Sequence, residues 1–587
     1  MRTKGGEFLI KDTSIEYIFT LNELNEEQKM MVNSVKEFMD KEVWPNKTRF
    51  EQKDYGFTVE IMNKLANMGL LSVAVPEQYG GLGMDFITTL LICDYVSGCT
   101  GSLATAFGAH TGIGTLPILL YGNNAQKEKY LPKLATGEWY GAYCLTEPEA
   151  GSDANSGKTK AVLTEDGEHY EITGQKMWIS NAGFAEIFIV FARIEDDPNI
   201  TGFIIEKSQV HGMTFGEEED KLGIKSSSTR QVFFDKVKIP VGNLLGTRNK
   251  GFKIAMNALN VGRIKLAVGC LDAQRRTITE AVKYANTRVQ FKVPISSFGA
   301  VKQKIAEIAT NCFVGEAGTY RTGQDINEAI EELKNNGLSH QNAELKGVEE
   351  YAIEAALLKV FCSEAIQHCT DEGIQIFGGM GFSKDALMES AWRDARITRI
   401  YEGTNEINRL LSVSMMIKKA LKGELNLLKP AKAVGEELMG IPDFSIPDFS
   451  NPLDEEKHLI ARLKKLGLML AGKAVETYGM NMVRHQEIIL ALANIMIQVY
   501  MAESAILVAK KNNNEYEIAM AKINLFKAVE IIVTESKIAI ISMCEGDVQK
   551  MMLMGLKRFT KYYNYPNIIQ LKRTVANKII DENQYCF

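Results

Sequence analysis

The sequence predicts an α+β protein that is mostly α: a helical N-terminal domain, a middle antiparallel β-domain, a C-terminal four-helix bundle and an extra C-terminal helical domain. Three observations carry this expectation. Apolar side chains recur at helical spacing from Asn25 to about Gly137 and again from Phe252 onward. Between about Glu138 and Gly246 the period switches to two, in short β-branched and aromatic runs. An Ile-Pro-Asp-Phe-Ser pentapeptide, repeated in tandem over Ile441–Ser450, brings two prolines that a helix interior does not accommodate, and so divides the later helices. At 587 residues the chain exceeds one compact core. It divides into an N-terminal arm (1–24), a helical domain (25–137), a β-domain (138–246), a four-helix domain (247–422), a linker (423–453) and the extra helical domain (454–587).

In the first helical domain Met31, Val35, Phe38 and Met39 share a face that stops at Trp44-Pro45, and Ile61, Leu65 and Met68 share the next, which stops at Gly69. The glycine-rich stretch from Pro76 to Gly83 reads as a loop before helices over Phe86–Val96 and Ser102–Tyr121, the second rich in alanine and glycine. In the β-domain, Asp166-Gly167 between Ala161-Val162-Leu163 and Tyr170-Glu171-Ile172 is a hairpin signal. Ile187–Ala192, Gly202–Ile205 and Gln231–Phe234 add strands. Phe252–Thr287, Phe298–Gly323, Gln341–Gly373 and Ala386–Arg396 supply the four helices, and Asp454–Phe587 is again helical, rich in Met and Ile.

A net charge of −6 argues against a general nucleic-acid binder, while leaving room for a local basic patch that holds an anionic ligand. The nine cysteines form no C-x-x-C pair, the usage expected of reduced, buried thiols in a cytoplasmic protein. The N-terminus lacks an apolar h-region, and Glu7 and Asp12 come too early for a transit peptide, so neither export nor an organellar presequence is expected. The most apolar run, Ile488–Ala509, is interrupted by Asn494, Gln498 and Glu503 and reads as a buried helix.

Chemistry concentrates in Arg396–Arg409. There Glu402 sits on a turn between two helical segments, with Arg393, Arg396 and Arg399 at three-residue intervals ahead of it. Behind it Thr404 and Asn405 can cap a helix starting near Ile407. A carboxylate so placed is either a structural partner of the helix dipole and an arginine or a catalytic base.

The run Arg399-Ile-Tyr-Glu-Gly-Thr-Asn-Glu-Ile407 resembles the catalytic loop of the acyl-CoA dehydrogenases, whose glutamate removes the α-proton of a fatty acyl thioester. The resemblance extends over most of the chain and is strongest from Asn25 to Met416. It implies FAD as cofactor and fatty acyl-CoA as substrate. It makes Glu402 the base, the flavin N5 the hydride acceptor and trans-2-enoyl-CoA the product of this first step of fatty acid β-oxidation. No G-x-G-x-x-G occurs, and the near P-loop at Gly151–Thr159 has the wrong glycine spacing and precedes a strand.

Instead, Tyr143-Cys144-Leu145-Thr146-Glu-Pro-Glu-Ala-Gly151-Ser152 resembles the family's flavin loop, and Trp178-Ile179-Ser180 its Trp-Ile-Ser/Thr motif. Arg288, Gln290, Phe291 and Phe298, with Gln375, Ile376, Gly378 and Gly379, resemble the elements that reach the adenine half of FAD in a neighbouring subunit. Thr404, Asn405 and Glu406 complete the cofactor set. Lys292 stands where the family commonly has glycine, which puts that turn's geometry in question. For substrate, the resemblance implicates Ser152, Asn260, Val261, Gly262, Arg263, Tyr401, Glu402 and Gly403. Some relatives carry the base at the position of Gly262, and glycine cannot serve.

Ala104, Gly108 and Gly112 stand where shorter-chain relatives close the acyl tunnel, and read either as an open tunnel wall or as close helix packing. The chain continues about 160 residues beyond Lys422, as the very-long-chain branch does. In that branch the extension implies a homodimer and a segment of membrane contact. The counterpart here, His458–Arg484, with Arg462, Lys464, Lys465 and Lys473 among leucines, reads either as a peripheral anchor on the inner membrane face or as an internal packing helix. Electron-transferring flavoprotein is the acceptor the resemblance implies. Alternative readings are an acyl-CoA oxidase, or a non-catalytic assembly or binding protein on the same scaffold.

Overall fold

Capping residues set where the helices of the computed structural model begin; it describes residues 2–386, 388–440 and 448–587. Asn25 and Gln28 exchange side-chain and backbone hydrogen bonds at the start of Glu26–Phe38, and Asp85 accepts from the Thr88 N–H at 2.7 Å to open Phe86–Ser97. Thr100 caps Gly101–Gly108, and the chain then widens to a π-helical turn over Ala109–Gly114 before Leu116–Tyr121.

The β-domain is one sheet of strands β1 (Gly141–Cys144), β2 (Lys160–Leu163), β3 (His169–Ser180), β4 (Ile187–Ile194), β5 (Thr201–Glu206), β6 (Met213–Phe215), β7 (Thr229–Pro240) and β8 (Leu244–Leu245). Its order is β6-β7-β3-β2-β4-β5-β8, with β1 also on β4. Most ladders are antiparallel, as expected of a largely antiparallel domain, while β1 and β2 both run parallel to β4. Alternation reveals a half-buried strand and not the direction of its partner. The β3–β7 register slips between Lys176 and Ile179, and the bulge leaves Trp178 without a partner on β7.

Beyond the sheet, Gly251–Gly269 and Leu271–Thr287 replace the single helix expected, with a break at Cys270, and Gln341–Gly373 is divided at Tyr351. Gly299–Asn335 runs past Gly323, which reads in sequence as a stop. A Cβ there would lie 2.6 Å from Leu90 Cδ1, so Gly323 is a close-approach residue rather than a terminator. Between Arg288 and the Gly299 helix, β9 (Val289–Gln290) and β10 (Val293–Pro294) form a hairpin whose two turn residues, Phe291 and Lys292, have φ of 51° and 68°. Lys292 thus takes the left-handed conformation that glycine would adopt without strain.

Much of the tandem repeat lies outside the described residues, but the linker segment before it contains the helix Leu428–Met439. Pro430 falls in its first turn, where no intrahelical donor is lost. The extra domain packs Asp454–Tyr478 against the helical hairpin Gln486–Asn512 and Glu515–Met543. Among the described residues, three helical stretches are long and apolar enough to cross a membrane, Gln486–Asn512 among them, and each buries most of its apolar window inside the fold. The Asp454–Tyr478 helix turns Leu459, Leu463, Leu466 and Leu470 inward. Lys464 is buried, with Nζ donating to Glu503 Oε1 at 2.5 Å, and Lys465 pairs with Glu437 at 2.7 Å. These contacts are those of an internal packing helix.

The N-terminal arm is no loose tail. Phe8 and Leu9 are buried, and Phe8 meets the Tyr500 ring edge-on at 5.0 Å. Gly6 N–H donates to Glu354 Oε1 at 2.7 Å. The fully buried Arg321 reaches Thr13 Oγ1 at 2.7 Å and Glu503 Oε2 at 3.1 Å, and Lys464 donates to the Lys11 carbonyl at 2.7 Å.

Candidate active site

The Tyr401–Thr404 loop is held from behind by three side chains from other turns of the fold. Arg263 Nε donates to the Glu402 carbonyl at 3.3 Å, and Asn408 Nδ2 donates to the carbonyls of Gly403 at 2.7 Å and Thr404 at 3.1 Å. Lys359 Nζ donates to the Gly403 carbonyl and to Asn405 Oδ1, both at 2.8 Å. The loop's carbonyls are thereby turned into the protein. Among the described residues the Glu402 N–H has no acceptor, and its carboxylate Oε2 is buried without a hydrogen-bond partner. Glu402 has φ of 58° and Gly403 83°, so a non-glycine residue is held in the left-handed region, a strain of order 1–3 kcal/mol that functional sites commonly store.

Burial drives the Glu402 carboxyl up to about 7, against the opposing pull of the Arg263 and Lys359 cations. Burial likewise brings Lys359 down to about 8 and Arg263 to about 10. The carboxylate leans on the Gly251–Gly269 helix, where a Cβ at Gly262 would stand 2.7 Å from Oε2. Glycine at 262 is what gives Glu402 its space.

Glu402, Tyr401 and Ser180 line one end of a cavity of about 380 Å³ between the N-terminal helical and four-helix domains. It runs past Ala104, Gly108 and Leu266 toward Arg276 and Trp44. Cβ atoms built at Gly108 and Gly112 meet nothing within 4 Å. Gly108 and Gly112 therefore face open space, whereas Gly101 and Gly114 at the two ends of the run are close-approach positions.

Around the Ser180 end, the Tyr143–Ser152 segment and β3 are joined by the Met177 N–H donating to the Thr146 carbonyl at 3.0 Å. Beneath them a buried Lys176–Glu147 pair at 2.6 Å fixes the turn, with Glu147 also accepting from the Thr159 N–H at 3.1 Å. Gly151 and Ser152 are exposed, nothing stands within 4 Å of a Gly151 Cβ, and the Trp178 indole is 53% exposed beside the buried Ile179. An exposed tryptophan held in a left-handed conformation, next to a turn of open backbone, could hold a planar ring and a phosphate. Tyr143 and Cys144 lie within the core, with the Tyr143 hydroxyl unpartnered and near enough to Glu402 to feel its charge.

Not every expected residue joins this cavity. Asn405, read as a helix cap and cofactor contact, is sealed in the interior by Lys359, Ser363 and Glu364, and Thr404 alone caps the helix Asn405–Leu421. Glu406 is exposed in its first turn. Asn260, Val261 and Arg263 are buried, and Arg263 spends its donors on Glu402 and on Asn260 Oδ1 at 2.7 Å. Arg288, Gln290, Phe291 and Phe298, with Gln375, Ile376, Gly378 and Gly379, form a patch none of whose members lines the cavity. Phe377, which does line it, stacks on Tyr284 at 4.2 Å, and the Phe291 and Phe382 rings stand 89% and 86% exposed.

Sequence reasoning missed Lys359, Asn408, Lys176 and Glu147. Lys359 left a signal, since it is the one charge in Ala355-Ala-Leu-Leu-Lys-Val-Phe-Cys362, where a cation is buried only if partnered.

Residues 25–138, 142–237 and 249–416 match the N-terminal, middle and C-terminal domains of acyl-CoA dehydrogenases, and 462–558 match a further acyl-CoA dehydrogenase C-terminal domain. A probable acyl-CoA dehydrogenase of Bacillus subtilis (strain 168) is 41% identical over 591 residues, 99% of this chain and 98% of that one. The mitochondrial very long-chain specific acyl-CoA dehydrogenase of Macaca fascicularis is 39% identical over 427 residues, 71% of this chain and 61% of that protein. A crystal structure of an acyl-CoA dehydrogenase from Bacillus anthracis, complexed with FAD, matches with a TM-score of 0.96 and 40% identity over 100% of both chains.

Proposed function

Because this chain belongs to the acyl-CoA dehydrogenase family, we propose that it converts long-chain fatty acyl-CoA to trans-2-enoyl-CoA in the first step of fatty acid β-oxidation, with Glu402 as base. It is an oxidoreductase, and FAD is its cofactor. The observation that carries the reading is the Glu402 Oε2, buried without a partner where a long apolar cavity begins.

The residues divide the work by what they leave free. Arg263, Lys359 and Asn408 occupy the loop's carbonyls, so the Glu402 N–H is available to the thioester oxygen, where enolate charge develops, and Oε2 is available to the α-proton. When bound, FAD supplies the acceptor for the β-hydride. Thr146, Gly151 and Ser152, with Trp178 and Ser180, would hold it, and the cavity leads away from them for the acyl tail.

The Arg288–Phe291 and Gln375–Phe382 patch supports a homodimer in which each protomer completes its partner's cofactor site, since its exposed aromatics lie outside the chain's own cavity. Electron-transferring flavoprotein is the proposed electron acceptor. Free thiols at all nine cysteines support a cytoplasmic location. Anaerobic addition of a C4 to C20 acyl-CoA series to the purified yellow protein should bleach the flavin most completely with the long chains. Absence of FAD, or no bleaching with any chain, would reject the reading.

Two variants test the geometry. Gly262→Ala places a methyl against the carboxylate, and turnover should fall on the order of a hundredfold with FAD retained, because a shift of about 1 Å suffices for such a loss. Lys359→Met removes a cation that holds the Glu402 carboxyl down, so the rising limb of the kcat/KM pH profile should move to higher pH. An unmoved limb would show that Lys359 and Glu402 are not coupled.

A further inference from the structure

The cavity does not end as an apolar tunnel should. Along the helices Gly251–Gly269 and Leu271–Thr287, Arg276 lies fourteen residues past Gly262, or roughly 20 Å at 1.5 Å per residue. At that distance the lining includes Trp44, Lys47 and Arg276. Both cations stand over the same indole, with Lys47 Nζ 4.3 Å and the Arg276 guanidinium carbon 5.3 Å from the Trp44 ring centre. Their commitments differ. Arg276 is held by Asp272 and Asp40, each at 2.7 Å. Lys47 has no ion pair among the described residues.

Two carboxylates on the same lining are near enough to act on Lys47, but both are engaged elsewhere. Asp394 accepts from the Ile224 and Gly101 N–H groups at 2.5 and 3.0 Å, and Glu280 pairs with Lys283 at 3.1 Å. Burial holds the Lys47 ammonium below the usual lysine range, and a carboxylate brought beside it would raise it again. An ammonium facing a cavity, next to a second cation and without its own anion, is a receptor waiting for negative charge.

We propose that the far end of the cavity receives an anionic group on the last carbon of the acyl chain, with Lys47 as its counter-ion, so that ω-carboxy acyl-CoA thioesters are substrates alongside the methyl-ended ones. This rests on the cavity being the acyl site. Without a cation at its end, the same cavity would exclude a carboxylate, because an unpaired charge loses its hydration there with nothing in return.

The test compares kcat/KM for hexadecanoyl-CoA and hexadecanedioyl-CoA in the FAD-loaded wild type, Lys47→Met and Lys47→Arg, with a C12 to C20 dioyl series. The wild type should oxidise the two C16 thioesters within about tenfold of each other, and the dioyl series should peak at one length. The dioyl-to-monoyl ratio should drop at least tenfold in Lys47→Met and recover in Lys47→Arg. A wild type that rejects hexadecanedioyl-CoA by a hundredfold or more overturns the inference, whether or not the variants fold. So does a ratio that Lys47→Met leaves unchanged. Oxidation of neither thioester by the wild type would instead sink the acyl-CoA dehydrogenase reading itself, which keeps the two failures apart.

Discussion

Glu402→Gln should lower turnover by about three orders of magnitude while the protein still binds FAD, since amide and carboxylate share a shape and only the base is lost. The same variant should gain stability at neutral pH, and the sign follows from burial. The folded-state value near 7 lies above the ordinary 4.5, so the folded protein holds a proton there that the unfolded chain has released. Ionising Glu402 in the fold therefore costs stability progressively as pH rises from about 4.5 to about 7. Glutamine escapes that cost, and its advantage in thermal melting should be absent at pH 4 and full by pH 8. The wild-type kcat/KM should climb through pH 7 and level off above it. A melting difference that is flat across this range would mean that the carboxylate is not desolvated.

The second large effect is expected at Gly108. Its Cβ position faces open space, so Gly108→Leu should fold normally and put a branched side chain across the cavity. Activity on hexadecanoyl-CoA should fall on the order of a hundredfold, while hexanoyl-CoA, too short to reach the obstruction, stays within a few fold. Parallel losses on both thioesters would mean that the acyl chain takes another path.

The contrast between what local sequence reveals and what it hides is clear at this site. Helix starts at Asn25 and Phe86, the Asp166-Gly167 hairpin and the segments bearing Thr146, Trp178 and Glu402 are legible because their determinants lie within a few residues of each other. The switch of period from 3.6 to 2 and back outlines the domain order for the same reason. What escapes is what depends on the partner across the gap. Gly323 looks like a terminator until Leu90 is seen against it. Asn405 looks like a cap until Lys359 and Ser363 enclose it. The parallel pairing of β1 and β2 with β4 leaves no mark on alternation. Whether Ala104, Gly108 and Gly112 pack against a helix or face a void is a question about neighbours, and composition is silent on it.

Phe8 packs against Tyr500, and Lys11 and Asp12 are held by Lys464. Phe8 and Lys11 are synthesised well before the surfaces that receive them, which lie about 450 residues or more further along. Vectorial synthesis leaves this segment waiting, its apolar side chains uncovered, until the Gln486–Asn512 helix has been made. Chaperone dependence should then fall on the nascent amino terminus. The helices bearing Lys464 and Tyr500 would act as a latch over that segment, not as a removable appendage.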